Sequence, residues 1–175
     1  MEILLLSVAA AWATVGAAYD IASRRIPNRL SYSGILVGIL LRTGLLGWRG
    51  LATALAGGAL AGGIFFLFYL VRGMGAGDVK LIAAVGCFSG FPAVVQIMVA
   101  CALAGGIMAL GVALYRSSAL RTLRNVWELL RFHAGHGARV HPTLNIDNPQ
   151  AIRLPYAIAI ATGSGYALLD ALLVR

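Results

Sequence analysis

The sequence predicts an all-α, polytopic membrane protein, a bundle of six transmembrane helices. Three observations carry that expectation. The 175 residues are 60% hydrophobic and 11% charged, whereas a soluble domain carries roughly a quarter charged residues. The charges gather between long uncharged stretches. Residues 81–115 contain none at all, and as one helix they would extend about 53 Å against a hydrocarbon core of roughly 30 Å.

Uncharged stretches mark the spans in order. Residues 3–19 give the first; Met1-Glu2 lacks the basic leader of a secretory signal, so the segment reads as a retained helix. Residues 30–46 give the second, interrupted only by Arg42, whose long side chain could snorkel outward. Residues 51–71 give the third. The run 81–115 has to fold back, and Ser89-Gly90-Phe91-Pro92 is the turn. A short fourth span then covers 79–88 and a fifth 92–115, with the sixth at 154–173. Gly58 and Gly62 fit the small-xxx-small spacing of closely packed membrane helices.

Charge sets the orientation. With residues 20–29, 72–80 and 116–153 inside, only Arg42, Arg49 and Arg175 of the 14 Lys and Arg residues lie outside. That positive-inside bias puts both termini on the extracytoplasmic side. It also accounts for the net charge of +8 through anionic lipid, without nucleic acid as a partner. The segment 116–153 reads as a basic cytoplasmic loop of the single domain 1–175. Within it, Ser118 to Phe132 carries Leu120, Leu123, Trp127 and Leu130 on one helical face. Arg121, Arg124, Glu128 and Arg131 occupy the remainder, with Arg124 and Glu128 four apart. This predicts a helix in the membrane interface that stops near Gly135. Pro142, Asn145, Asp147, Asn148 and Pro149 mark loop. Cys87 and Cys101 lie in apolar runs and read as packing residues. His133, His136 and His141 lack ligand spacing on a firm helix, so no metal and no cofactor is expected.

Six acidic residues remain to be assigned. Glu2 is terminal, Glu128 belongs to the surface helix, Asp147 to the loop, and Asp170 to the outer end of the sixth span. Asp20, in YDIASRRIPN, closes the first span, and Asp78, in GMGAGDVK, opens the fourth. Both fall at the cytoplasmic ends of spans and so share a depth. Purely structural roles are open to each: Asp78 as the N-cap of the helix starting VKLIAAV, Asp20 as an ion-pair partner of Arg24 or Arg25. The two together suggest more. Neighbouring carboxylates cannot both ionise cheaply, so such a pair holds one proton between them. One member can then deprotonate a water while the other protonates a carbonyl oxygen or leaving nitrogen. Gly75 and Gly77 could take dihedrals closed to other residues and let a substrate strand approach. Irregular backbone at membrane depth is tolerated where it lines a wet cavity.

GMGAGDVK carries the GxGD signature, and with DIASRRIPN one hairpin upstream the sequence resembles the prepilin peptidases, aspartic proteases of the membrane. The short length and the stretch Arg153-Leu-Pro-Tyr-Ala-Ile-Ala-Ile-Ala-Thr-Gly163 are similar to the compact Tad/CpaA-type branch that serves Flp-type pili. The resemblance implies that Asp20 and Asp78 are the catalytic pair, with Gly75 and Gly77 the backbone frame of the site. Lys80 could balance charge beside the pair, and Pro27 and Asn28 would form the turn into the second span. It further implies an endopeptidase of the cytoplasmic membrane that removes the leader of prepilin or pseudopilin substrates at the cytoplasmic face, alongside pilus assembly machinery. Longer members carry an N-terminal loop with cysteine pairs and methylate the new N-terminus; this chain has neither feature, so cleavage alone is expected. Two rivals remain open at this stage. One is a proton-coupled transporter using the paired aspartates, which would need polar residues across the third and fifth spans. The other is a non-catalytic assembly component in which the aspartates are a structural latch.

Overall fold

Two glycines in conformations that other residues avoid set the course of the chain. Gly47 takes φ 61° and Gly90 takes φ 66°, and each interrupts an otherwise continuous apolar stretch. The computed structural model describes residues 1–116, 119–146, 148 and 154–174. Expectations that rest on Ser118, Asp147, Pro149, Arg153 and Arg175 fall outside these residues. The described chain is all-α, with six helices: α1 Glu2–Ser23, α2 Asn28–Leu70, α3 Ala76–Ser89, α4 Ala93–Tyr115, α5 Ala119–His136 and α6 Tyr156–Leu173.

The spans expected at 30–46 and 51–71 prove to be two limbs of α2. Its 43 residues would reach about 64 Å if straight. Instead it bends at Gly47 and returns along α3. The limbs share the same neighbours there: Gly38 and Gly58 both lie against Cys87, Gly34 against Ala84, and Gly62 against Ala83. Gly57 and Gly86 touch backbone to backbone, so neither has room for a side chain. Between apolar helices in lipid the hydrophobic effect is largely spent, and close van der Waals approach of this kind supplies the packing.

At its far end α2 stops in a Schellman motif. Arg72 takes the left-handed conformation at φ 57°, Gly73 N–H bonds Phe68 O at 2.9 Å, and Arg72 N–H bonds Tyr69 O at 3.0 Å. The glycine stands one place beyond the left-handed residue, which is why the motif is hard to see in sequence.

The short α3 is the centre of the bundle. Leu81, Ile82, Ala84, Val85, Phe88 and Ser89 are fully buried, enclosed by α1, α2, α4 and α6. The helix ends where expected, at Gly90, whose N–H bonds Gly86 O, and Phe91 N–H then bonds Thr53 O of α2. It begins three residues earlier than the sequence suggests. Trp12 locks α1 onto this core, its ring packing at a tilt against Phe88 with centroids 5.5 Å apart and its indole N–H donating to Leu30 O at 3.0 Å.

Among the described residues, four helices are long and apolar enough to cross a membrane: α1, α2, α4 and α6. Their outward faces leave large apolar side chains uncovered, among them Leu40, Leu103 and Ile107, the last 72% exposed. The protein is a multi-pass membrane protein. Arg42 does not snorkel. It is 4% exposed, pairs with Glu2 at 3.1 Å, and donates to Thr53 Oγ1 at 2.8 Å and Phe88 O at 3.1 Å. Burying a guanidinium among apolar helices is costly unless partners of this kind satisfy it. Arg42 therefore clamps α1, both limbs of α2 and the end of α3.

The amphipathic helix is α5. It runs one residue past Gly135, to His136, and Gly137 at φ 64° ends it. Glu128 turns to His141, 3.6 Å away, rather than to Arg124. Leu120, Leu123, Trp127 and Leu130 are all exposed. The loop beyond returns to the bundle, where Ile146 N–H bonds Arg72 O at 2.8 Å.

Candidate active site

The turn between α1 and α2 and the turn between α2 and α3 meet at one end of the bundle. α1 ends when Arg24 takes φ 54°, its N–H bonding Asp20 O at 2.9 Å. Pro27, extended at ψ 134°, then opens α2 as its N-cap. Pro lacks an N–H and cannot continue a helix from behind, so it suits this position. The two turns enclose a cavity of about 420 Å³. Asp20, Arg24, Arg25, Pro27, Asn28, Gly75, Gly77, Asp78 and Lys80 are among the residues that line it.

All five residues singled out in the sequence thus face one space. Asp20 comes from the last turn of α1 and Asp78 from the first turn of α3, and both are half-buried. The charge of Asp20 acts on Asp78 across the cavity. Oδ1 of Asp78 is buried without a hydrogen-bond partner among the described residues. A buried polar atom left unpaired costs stability, and it is the pattern expected of a group kept for chemistry rather than for packing.

The local frame differs from the sequence expectation in one respect. Asp78 is not the N-cap of α3; Gly75 is, and Asp78 stands at the third helical position. From there its Oδ2 lies back against Gly75. Gly75 and Gly77 take no special dihedrals: Gly75 is extended at φ −78°, and Gly77 is helical. Their value is the missing side chain. A Cβ on Gly75 would press on Asp78 Oδ2, and one on Gly77 would stand 3.2 Å from Ile26 Cβ. The motif holds two turns together at close range.

Lys80 Nζ donates to Asn28 Oδ1 at 2.9 Å and lies 5.0 Å from the centre of the Tyr32 ring. It therefore joins the start of α2 to α3 at the cavity rim. Sequence reasoning missed α6. The backbone of Ala157, in the first turn of α6, lies within electrostatic reach of the Asp20 carboxylate. A backbone group leaves no mark in the residue types, so no signal pointed to it. No group of three or more potential metal ligands gathers among the described residues.

A helical membrane bundle with two carboxylates lining one cavity is the class of protein that fold and site define. Within that class the comparison of families is specific: the Type IV leader peptidase family matches residues 7–110, well over half the chain, and the protein belongs to it. The match runs from α1 into α4 and includes both aspartates, while α5 and α6 lie beyond it. No curated protein and no solved structure matches the chain.

Proposed function

We propose that the protein is a membrane aspartic endopeptidase that cuts the leader from prepilin-like proteins at the cytoplasmic face. The single observation behind this reading is the cavity that Asp20 and Asp78 share. In the reaction, one carboxylate accepts a proton from a water, whose oxygen attacks the scissile carbonyl carbon. The carboxylic acid opposite gives its proton to the carbonyl oxygen. The tetrahedral intermediate then collapses: a hydroxyl returns its proton to the second carboxylate, the C–N bond breaks, and the amine leaves with the proton held by the first carboxyl. Gly75 and Gly77, without side chains, let the two aspartate-bearing turns approach closely. Lys80, tethered by Asn28, keeps a positive charge at the rim.

The membrane arrangement follows the same reading. α2 crosses twice as a hairpin about Gly47, and α3 crosses within the protein, shielded from lipid, which gives six crossings. The inner-membrane cavity then faces the cytoplasm and both termini face outward. α5 lies in the cytoplasmic interface with Leu120, Leu123, Trp127 and Leu130 in lipid and its arginines at the headgroups. Membership of the compact branch serving Flp-type pili is the narrower form of the proposal. Mass spectrometry of a synthetic prepilin-like peptide, a basic leader before an apolar helix, incubated with the reconstituted protein tests the activity. One new N-terminus at the leader boundary is expected; an intact peptide would count against the reading.

A further inference from the structure

Glu2 and Asp20 stand near opposite ends of α1. The helix between them is about 27 Å long, close to the roughly 30 Å of a hydrocarbon core. The aspartate cavity therefore lies at one membrane surface, and the surroundings of Glu2 lie at the other. There a second, larger cavity of about 1020 Å³ opens between α1, the bend of α2, α4 and α6. Trp48, 77% exposed beside that bend, fits the interfacial belt that tryptophan favours.

This cavity is amphipathic. Leu6, Val95 and Ala167 give it apolar walls from three different helices. Its charged residues are Glu2, Arg42, Arg49 and Asp170, and they reduce to one of each sign. Arg42 is engaged inside the fold: it donates to both carboxylate oxygens of Glu2, at 3.1 and 3.4 Å, as well as to Thr53 and Phe88 O. Glu2 and Arg42 thus cancel. Arg49 is exposed and makes no ion pair among the described residues. Asp170, half-buried, accepts at Oδ2 from Gln96 Nε2 at 2.8 Å. Gln96 is neutral, so the carboxylate keeps its charge uncompensated.

A ligand complementary to this wall carries one anion, one cation and an apolar tail, and is met at headgroup depth. A zwitterionic phospholipid has all three. The Asp170 carboxylate further selects a cation that can donate hydrogen bonds, which a primary ammonium does and a quaternary ammonium does not. We propose that this cavity binds an ethanolamine phospholipid, its phosphate on Arg49, its ammonium on Asp170, and an acyl chain along Leu6, Val95 and Ala167. The site is independent of the role given to Asp20 and Asp78.

Native mass spectrometry of the full chain, titrated in detergent with dioleoyl phospholipids bearing ethanolamine, choline or glycerol headgroups, tests this. One ethanolamine lipid should bind about tenfold more tightly than the choline lipid. Asp170→Asn keeps an oxygen for Gln96 and removes the charge, and it should abolish that preference. Arg49→Gln, at an exposed position, should weaken both zwitterionic lipids by about tenfold, since both present the phosphate. Arg121→Gln, on α5 and outside the cavity, should change neither affinity. Equal binding of the ethanolamine and choline lipids, a preference that survives Asp170→Asn, or an affinity unchanged by Arg49→Gln would overturn the proposal. Tightest binding of the glycerol lipid would overturn it as well, because an anionic headgroup would then suffice without the ammonium.

Discussion

Gly75 and Asp78 are in contact: a Cβ on Gly75 would stand 3.2 Å from Asp78 Oδ2. That separation is tight, so the carboxylate would have to give way by a few tenths of an ångström. Misplacement on the scale of an ångström costs a catalyst about a hundredfold. Gly75→Ala should therefore lower kcat by roughly tenfold or more while the protein inserts and unfolds as wild type. Peptide cleavage and thermal unfolding, measured side by side, check this. Unchanged kcat would mean that the glycine does not govern the carboxylate.

The bundle's rigidity is expected to depend on where glycine meets backbone. Gly86 touches Gly57, whereas a methyl group on Gly106 would meet nothing within 4 Å. Gly86→Ala should destabilise by about 2 kcal/mol or more through overpacking. Gly106→Ala should be neutral or stabilise by up to about 1 kcal/mol from helix propensity. Thermal unfolding in one detergent compares them, and equal effects would contradict the packing described.

Much of this was legible in the residues, and the exceptions have physical causes. The break at 89–92 could be read because glycine and proline cannot continue a helix there. That Asp20 and Asp78 would come to one end of the bundle could be read because one closes the first span and the other opens the fourth. The early start of α3 could not, because Gly75-Ala76-Gly77 has little helix propensity of its own. The Arg42–Glu2 pair joins residues forty apart, a tertiary fact that no local pattern carries.

That pair sets a further expectation. Arg42→Met removes the hydrogen bonds to Thr53 and Phe88 O as well as the partner of Glu2, and should cost about 2–3 kcal/mol. Glu2→Gln leaves Arg42 two of its partners, and Glu2 is already half exposed, so it should cost about 1 kcal/mol. Chemical unfolding ranks the two, and the reverse order would contradict the clamp.

The orientation is checked by cysteine labelling in intact cells. Cys87 and Cys101 are buried, so background labelling should be low. An impermeant maleimide should reach Arg49→Cys from outside and not Arg121→Cys. The opposite pattern would invert the protein in the membrane.

The most direct measurement is single-turnover cleavage of the synthetic prepilin-like peptide by Asp20→Asn and Asp78→Asn, each confirmed to insert and to unfold as wild type does. Each substitution removes one proton-transfer group at almost no change in shape, and the rate should drop by about a thousandfold or more in both. Cleavage within a few-fold of wild type by either variant would contradict the two-carboxylate account.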